Sequence, residues 1–108
     1  MGTLSTHVLD TSRGKPAEGV RIVLETLAGE RIGAGVTNAD GRVGEIGPER
    51  LEVGDYRLTF GAKEYYDALG TESFYPEIAV AFTIGDAEQH YHVPILLNPF
   101  GFSTYRGS

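Results

Sequence analysis

A chain of 108 residues makes one domain, 1–108, which can hide roughly two-thirds of the surface its unfolded form exposes, enough for a core without staples. It has no cysteine, which excludes disulfides and thiolate metal sites and suits a reducing compartment. A net charge of −6, with nine Lys and Arg scattered singly, argues against nucleic acid and acidic lipid as partners. Met1-Gly2-Thr3-Leu4-Ser5 is not a basic segment followed by an apolar run, and no stretch approaches about 18 consecutive apolar residues, so a cytoplasmic protein is expected.

In chain order, Leu4 to Leu9 suits a strand, and Asp10-Thr11-Ser12-Arg13-Gly14-Lys15-Pro16 reads as a polar loop punctuated by Gly and Pro. Val20, Ile22 and Leu24 alternate with Arg21 and Glu25, which predicts a half-buried strand. A third extended run, Arg31 to Thr37, contains Gly33 and Gly35; missing side chains there admit a bulge or a close neighbour. Asn38-Ala39-Asp40-Gly41 is a turn signal with Arg42 directly after it, because Asn, Asp and Gly tolerate positive φ and bond local backbone. Val43 to Ile46 makes only a short strand before Gly47-Pro48, and Tyr56, Leu58 and Phe60 mark a longer one.

Between Lys63 and Leu69 the period changes. Tyr65, Tyr66 and Leu69 fall three to four residues apart and Gly70 is placed to stop a helix. Ile78, Val80, Phe82 and Ile84 then alternate with smaller residues, and Gly85-Asp86 turns into the last stretch. There, two strand-like runs flank a turn at Asn98-Pro99. Tyr91, Val93, Ile95 and Leu97 share one apolar face, while His90, His92, Pro94 and Leu96 look away from the core. Seven or eight short strands with one short α-helix make an all-β fold, an antiparallel β-sandwich. Pro94 and Leu96 on the histidines' face would bury apolar surface if a partner covered it.

Three blocks carry a resemblance: Thr6-His7-Val8-Leu9-Asp10, the Asp40-Gly41-Arg42 turn, and His90-Tyr91-His92-Val93-Pro94 followed by the closing Tyr105-Arg106-Gly107-Ser108. Together they resemble the transthyretin-like family of 5-hydroxyisourate hydrolases, whose members end in that four-residue motif. The resemblance spans the whole chain and implies a transthyretin-like sandwich packed as a homotetramer, with ligand sites in a channel between dimers. It further implies that His7, Arg42, His92 and Ser108 form the active site, that Thr104 and Tyr105 line the pocket, and that no metal or cofactor is needed. His90 lies in the matched run without an assigned role.

The family's substrate, 5-hydroxyisourate, is a planar bicyclic urate derivative. Its six-membered ring opens when water attacks the carbonyl that ends as a carboxylate, giving 2-oxo-4-hydroxy-4-carboxy-5-ureidoimidazoline in urate degradation. A neutral imidazole takes a proton from that water near its own pKa, and a guanidinium steadies the oxyanion. His7 and His92 fit water activation and proton transfer, either being the base. The planar fork of Arg42 suits carbonyl oxygens. Ser108 adds a hydroxyl and a chain-terminal carboxylate, and a covalent serine mechanism is disfavoured because no nucleophile elbow surrounds it. His90 and His92, with His7 brought in by folding, also have the types for a three-nitrogen zinc site. The alternative function within the same fold is a carrier: transthyretin itself uses the equivalent channel to bind thyroid hormones without turnover.

Overall fold

The computed structural model describes residues 3–43, 46–48 and 51–107, and its layout follows from β1 (Thr3–Asp10). Leu4, Thr6, Val8 and Asp10 are buried on one face of β1 while Thr3, Ser5, His7 and Leu9 are half-buried on the other, as a period of two requires. β1 pairs in full register with β8 (His90–Asn98), from Thr3 opposite His90 to Asp10 opposite Leu97. β8 returns through a hairpin into β9 (Gly101–Thr104), and two short strands, β2 (Lys15–Pro16) and β5 (Arg42–Val43), pair with β1.

A second sheet has the order β4 (Arg31–Val36), β3 (Arg21–Thr26), β6 (Gly54–Phe60), β7 (Ile78–Ile84), every pair antiparallel. Its inward side chains Ile22, Leu24, Leu58 and Phe60 meet Val8, Ile95 and Leu97 of the first sheet in one buried cluster. Burial of each such side chain is worth about 1.5–3 kcal/mol against exposure. Gly33 permits the close approach expected of it: a Cβ there would lie 2.5 Å from the Gly47 Cα, and β3 and β4 slip register between Leu24 and Glu25.

Helix α1 (Ala62–Ala68) buries Tyr65 and Tyr66, whose hydroxyls donate to the buried Asp10 at 2.8 and 3.0 Å. Ser12 adds two more hydrogen bonds to Asp10, from its amide and its hydroxyl. Burial alone would raise the Asp10 pKa, but the donors from Ser12, Tyr65 and Tyr66 outweigh it and leave the carboxyl below its ordinary value. The same packing pushes the Tyr66 phenol well above its usual value, through burial first and the Asp10 bond and charge second.

Several expectations need correction. β1 and β8 run parallel, so the sandwich is antiparallel in all its pairings except the central pair of the first sheet. They lie near opposite ends of the chain, where no hairpin imposes an antiparallel return. Lys15-Pro16, expected in a loop, is an edge strand, a position that tolerates the missing proline N–H. Arg42 does not merely follow a turn but begins β5; the strand expected as far as Ile46 runs through Gly44 and Glu45, which lie outside the described residues. Leu69 is the C-cap of α1, 41% exposed and outside the buried cluster. Pro94 is already buried, which leaves the half-buried Leu9 and Leu96, cross-strand neighbours, as the apolar part of the histidines' face. Among the described residues no helix is long and apolar enough to cross a membrane.

Candidate active site

Two local devices set His7 beside Arg42. In register, His7 of β1 stands opposite Arg42 of β5. The chain reaches that register through a turn in which the Gly41 amide donates to the Asn38 carbonyl at 2.8 Å, and Asn38 Oδ1 accepts from the amides of Asp40 and Arg42 at 2.9 and 3.1 Å. Gly41 adopts φ +73, and a Cβ there would sit 2.3 Å from the Val8 carbonyl oxygen. Its own carbonyl accepts the Val8 amide at 2.7 Å, which ties the turn to β1 next to His7.

On the other side of β1, Ser5 is the register partner of His92, and His7 is the partner of Pro94 two residues further along. His7, His92 and Arg42 therefore share one face of the five-stranded sheet, His7 and His92 half-buried and Arg42 exposed. Burial lowers the His92 pKa below its ordinary 6.5, and the nearby charges of Arg42, His7 and His90 lower it further. The imidazole is thus neutral at pH 7. The Ser5 hydroxyl lies 2.8 Å from His92 Nδ1 and 2.9 Å from His90 Nε2, and the Thr3 hydroxyl hydrogen-bonds His90 Nδ1.

The tail folds back on the same histidine. Gly107 forms a bridge with His92, its amide donating to the His92 carbonyl at 2.8 Å. A Cβ at Gly107 would lie 2.5 Å from His92 Cδ2, so only glycine lets the backbone lie this close to the ring. Ser108, the fourth expected site residue, lies outside the described residues. Thr104 and Tyr105 join His92 and Arg106 in the wall of a cavity of about 310 Å³, completed by β7 and by Tyr91 and Val93. The Thr104 hydroxyl donates to the Pro94 carbonyl at 2.8 Å, which anchors β9 beside the histidine strand. The Tyr105 side chain is 60% exposed. Arg106 lies over the Tyr91 ring, 4.6 Å from its centroid, and donates to Gln89 at 3.0 Å.

A larger open cleft of about 500 Å³ lies between α1 and the β1–β2 loop, lined by Arg13, Lys15, Glu18 and Tyr65 among others, with no histidine. The histidine face brings together a neutral imidazole, a second imidazole and a permanent cation, the groups needed to deprotonate water and stabilise an oxyanion. Among the described residues no group of three or more His, Cys, Asp or Glu is arranged to hold a metal ion. Sequence reasoning missed Thr3, Ser5 and Gly107 as neighbours of the histidines. The signal for Ser5 was present, since it precedes His7 by two residues and so shares its face.

A family model described as HIUase/Transthyretin family matches residues 4–107. The 5-hydroxyisourate hydrolase of Salmonella typhimurium is 44% identical over 109 residues, covering 97% of this chain and 80% of that protein. The solved structure of Klebsiella pneumoniae 5-hydroxyisourate hydrolase superposes with a TM-score of 0.91 at 44% identity, covering 98% of this chain and 99% of that one. Sea bream transthyretin, solved in complex with thyroxine, superposes with a TM-score of 0.86 at 30% identity, over 96% of this chain and 93% of that one. On these matches, which run nearly from end to end, the chain belongs to the HIUase/Transthyretin family.

Proposed function

We propose that this chain is a 5-hydroxyisourate hydrolase, opening the six-membered ring of its substrate to 2-oxo-4-hydroxy-4-carboxy-5-ureidoimidazoline in urate degradation, with 1–108 acting as one hydrolase domain. The observation that carries this reading is the gathering of His7, Arg42 and His92 on one sheet face, in a chain whose relatives bear that activity in their names. His92, neutral at pH 7, takes a proton from the attacking water. Arg42 steadies the oxyanion, its planar fork matching the carbonyl edge. His7, beside Arg42, transfers a proton to the departing ring nitrogen. Thr104 and Tyr105 bound the substrate from the tail, and Ser108 contributes contacts to substrate or to a histidine.

The site belongs, in the same proposal, to a homotetramer with a channel between dimers. The Leu9–Leu96 pair on the histidines' face supports this, because a second copy would finish its burial. A cytoplasmic location accords with the absence of cysteine. The test is the ultraviolet decay of freshly generated 5-hydroxyisourate with and without the protein. Acceleration well beyond the spontaneous rate is expected. No acceleration, together with binding of an aromatic ligand such as thyroxine, would favour the carrier reading that the likeness to transthyretin raises.

A further inference from the structure

The Ser5 hydroxyl has one proton and two imidazole partners. It stands 2.8 Å from His92 Nδ1 and 2.9 Å from His90 Nε2, so it can donate to only one of the rings and must accept from the other. Beyond it, His90 Nδ1 is hydrogen-bonded to the Thr3 hydroxyl, and His90 is exposed. An unbroken line of hydrogen bonds therefore runs from the half-buried His92 to the protein surface. Its spacing follows from the register: Thr3 pairs with His90 and Ser5 with His92, all four side chains on one face of the parallel β1–β8 pair. Besides His90, the groups whose charges bear on His92 are Arg42 and His7, and neither is hydrogen-bonded to His92 Nδ1 among the described residues; Tyr105 and Arg106 share its cavity wall.

We propose that Ser5 and His90 are positioning and relay residues for His92: they hold it in the Nδ1–H tautomer, leaving Nε2 free, and carry protons between its ring and water. This rests on the hydrolytic reading of His92 and gives His90 a role. In the resting state His92 Nδ1–H donates to Ser5 Oγ, Ser5 donates to His90 Nε2, and His90 Nδ1–H donates to Thr3.

When His92 Nε2 takes a proton from the attacking water, the hydroxide adds to the carbonyl carbon. The Nδ1 proton then passes to Ser5, the Ser5 proton passes to His90 Nε2, and His90, now an imidazolium, releases its Nδ1 proton to solvent. As the carbon–nitrogen bond breaks, His7 gives its proton to the departing ring nitrogen and takes the Nε2 proton of His92 in exchange, while a proton drawn from solvent through the same groups in reverse restores His92 Nδ1–H. Hydrolysis consumes one water. One of its protons is matched by the new N–H and the other is released when the carboxylic acid ionises, so the line carries one proton out and one back in each turnover and the net proton released comes from the acid.

Wild type, Ser5→Ala, Ser5→Thr and His90→Ala are compared in two measurements. In steady-state hydrolysis of 5-hydroxyisourate, Ser5→Ala and His90→Ala are expected to lower kcat about 10- to 100-fold with KM little changed. Ser5→Thr regains most of the Ser5→Ala loss. Added imidazole buffer restores His90→Ala, whose missing group is at the surface, and not Ser5→Ala. Wild-type kcat in both alanine variants would overturn the relay while leaving the hydrolase reading standing.

The second measurement is ¹⁵N NMR of the imidazole rings, which needs no turnover. His92 is expected as the Nδ1–H tautomer in wild type, with that preference lost in Ser5→Ala. Should wild type fail to accelerate hydrolysis, this result still decides whether Ser5 sets the tautomer. A His92 ring found as Nε2–H in wild type would overturn the assignment.

Discussion

His7 and Arg42 face each other in register across β1 and β5, and the turn that leads into that register passes through Gly41. Gly41 closes the turn at φ +73 with no room for a Cβ against the Val8 carbonyl. The Gly41→Ala variant is expected to lose about 1–3 kcal/mol of stability, the usual cost of a side chain forced into a sparsely populated backbone region. Its kcat/KM should fall as well, because Arg42 can no longer keep its place beside His7. Chemical denaturation and steady-state kinetics read both effects, and wild-type values for both would remove the turn from the site's construction.

In the proposed mechanism Arg42 acts on substrate, and its charge also bears on His92. Burial is the leading cause of the lowered His92 pKa, and the Arg42 cation adds to it. Replacing Arg42 with Met removes that part, so the His92 pKa rises toward its ordinary 6.5. The acid limb of the kcat/KM profile, where His92 becomes protonated and inactive as a base, moves to higher pH. The rate on the plateau falls roughly 100- to 1,000-fold, the loss typical of one oxyanion donor. An acid limb that stays in place would mean that His92 does not govern it.

Asp10 is buried on the face of β1 opposite His7. It accepts hydrogen bonds from Ser12, Tyr65 and Tyr66, and an amide in its place offers one acceptor oxygen and turns two donors toward those groups. Asp10→Asn should lose about 1–3 kcal/mol, measured by urea denaturation. The sign with pH is fixed by the depressed folded pKa. The carboxylate's contribution is complete above the unfolded value of 3.8 and disappears as pH falls through the lower folded value. Wild type should therefore lose its advantage over the Asn variant in strong acid, and an advantage that persists there would contradict the charge assignment.

Gly107 lies against the His92 ring, where a Cβ would come within 2.5 Å of Cδ2 and displace the ring or the tail. Gly107→Ala is expected to lower kcat about 10- to 100-fold, since shifts of about 1 Å in a reacting group cost on that scale. Global stability should change far less, because the tail contributes nothing to the buried cluster. Full activity in the variant would show that the ring has slack on that side.

Much of this was legible in the sequence because β-sheet periodicity is local. The alternation in 90–97 placed Tyr91, Val93, Ile95 and Leu97 in the core and turned His90 and His92 outward, as the structure has them. The spacing of Tyr65 and Tyr66 gave α1 within a residue of each observed end. Long-range pairing was not legible. No local signal says that β1 lies parallel to β8, and without that pairing Ser5 cannot be placed between two histidines. The pairing of β2 and β5 with β1 was hidden for the same reason, since two-residue strands have no period to read. The motifs located His7, Arg42 and His92 but not the groups that orient them: Ser5 and Gly107 gain meaning only from what the fold lays beside them.

The most direct measurement is the turnover of 5-hydroxyisourate by wild type against His92→Asn, with circular dichroism confirming that both are folded. His92 is half-buried on the outer sheet face and contributes nothing to the core, so the variant should keep its structure. Its kcat is expected to fall about 100-fold or more, the scale of losing an acid–base group. A folded His92→Asn variant that turns over substrate at the wild-type rate would contradict the assignment of hydrolysis to the face shared by His7, Arg42 and His92.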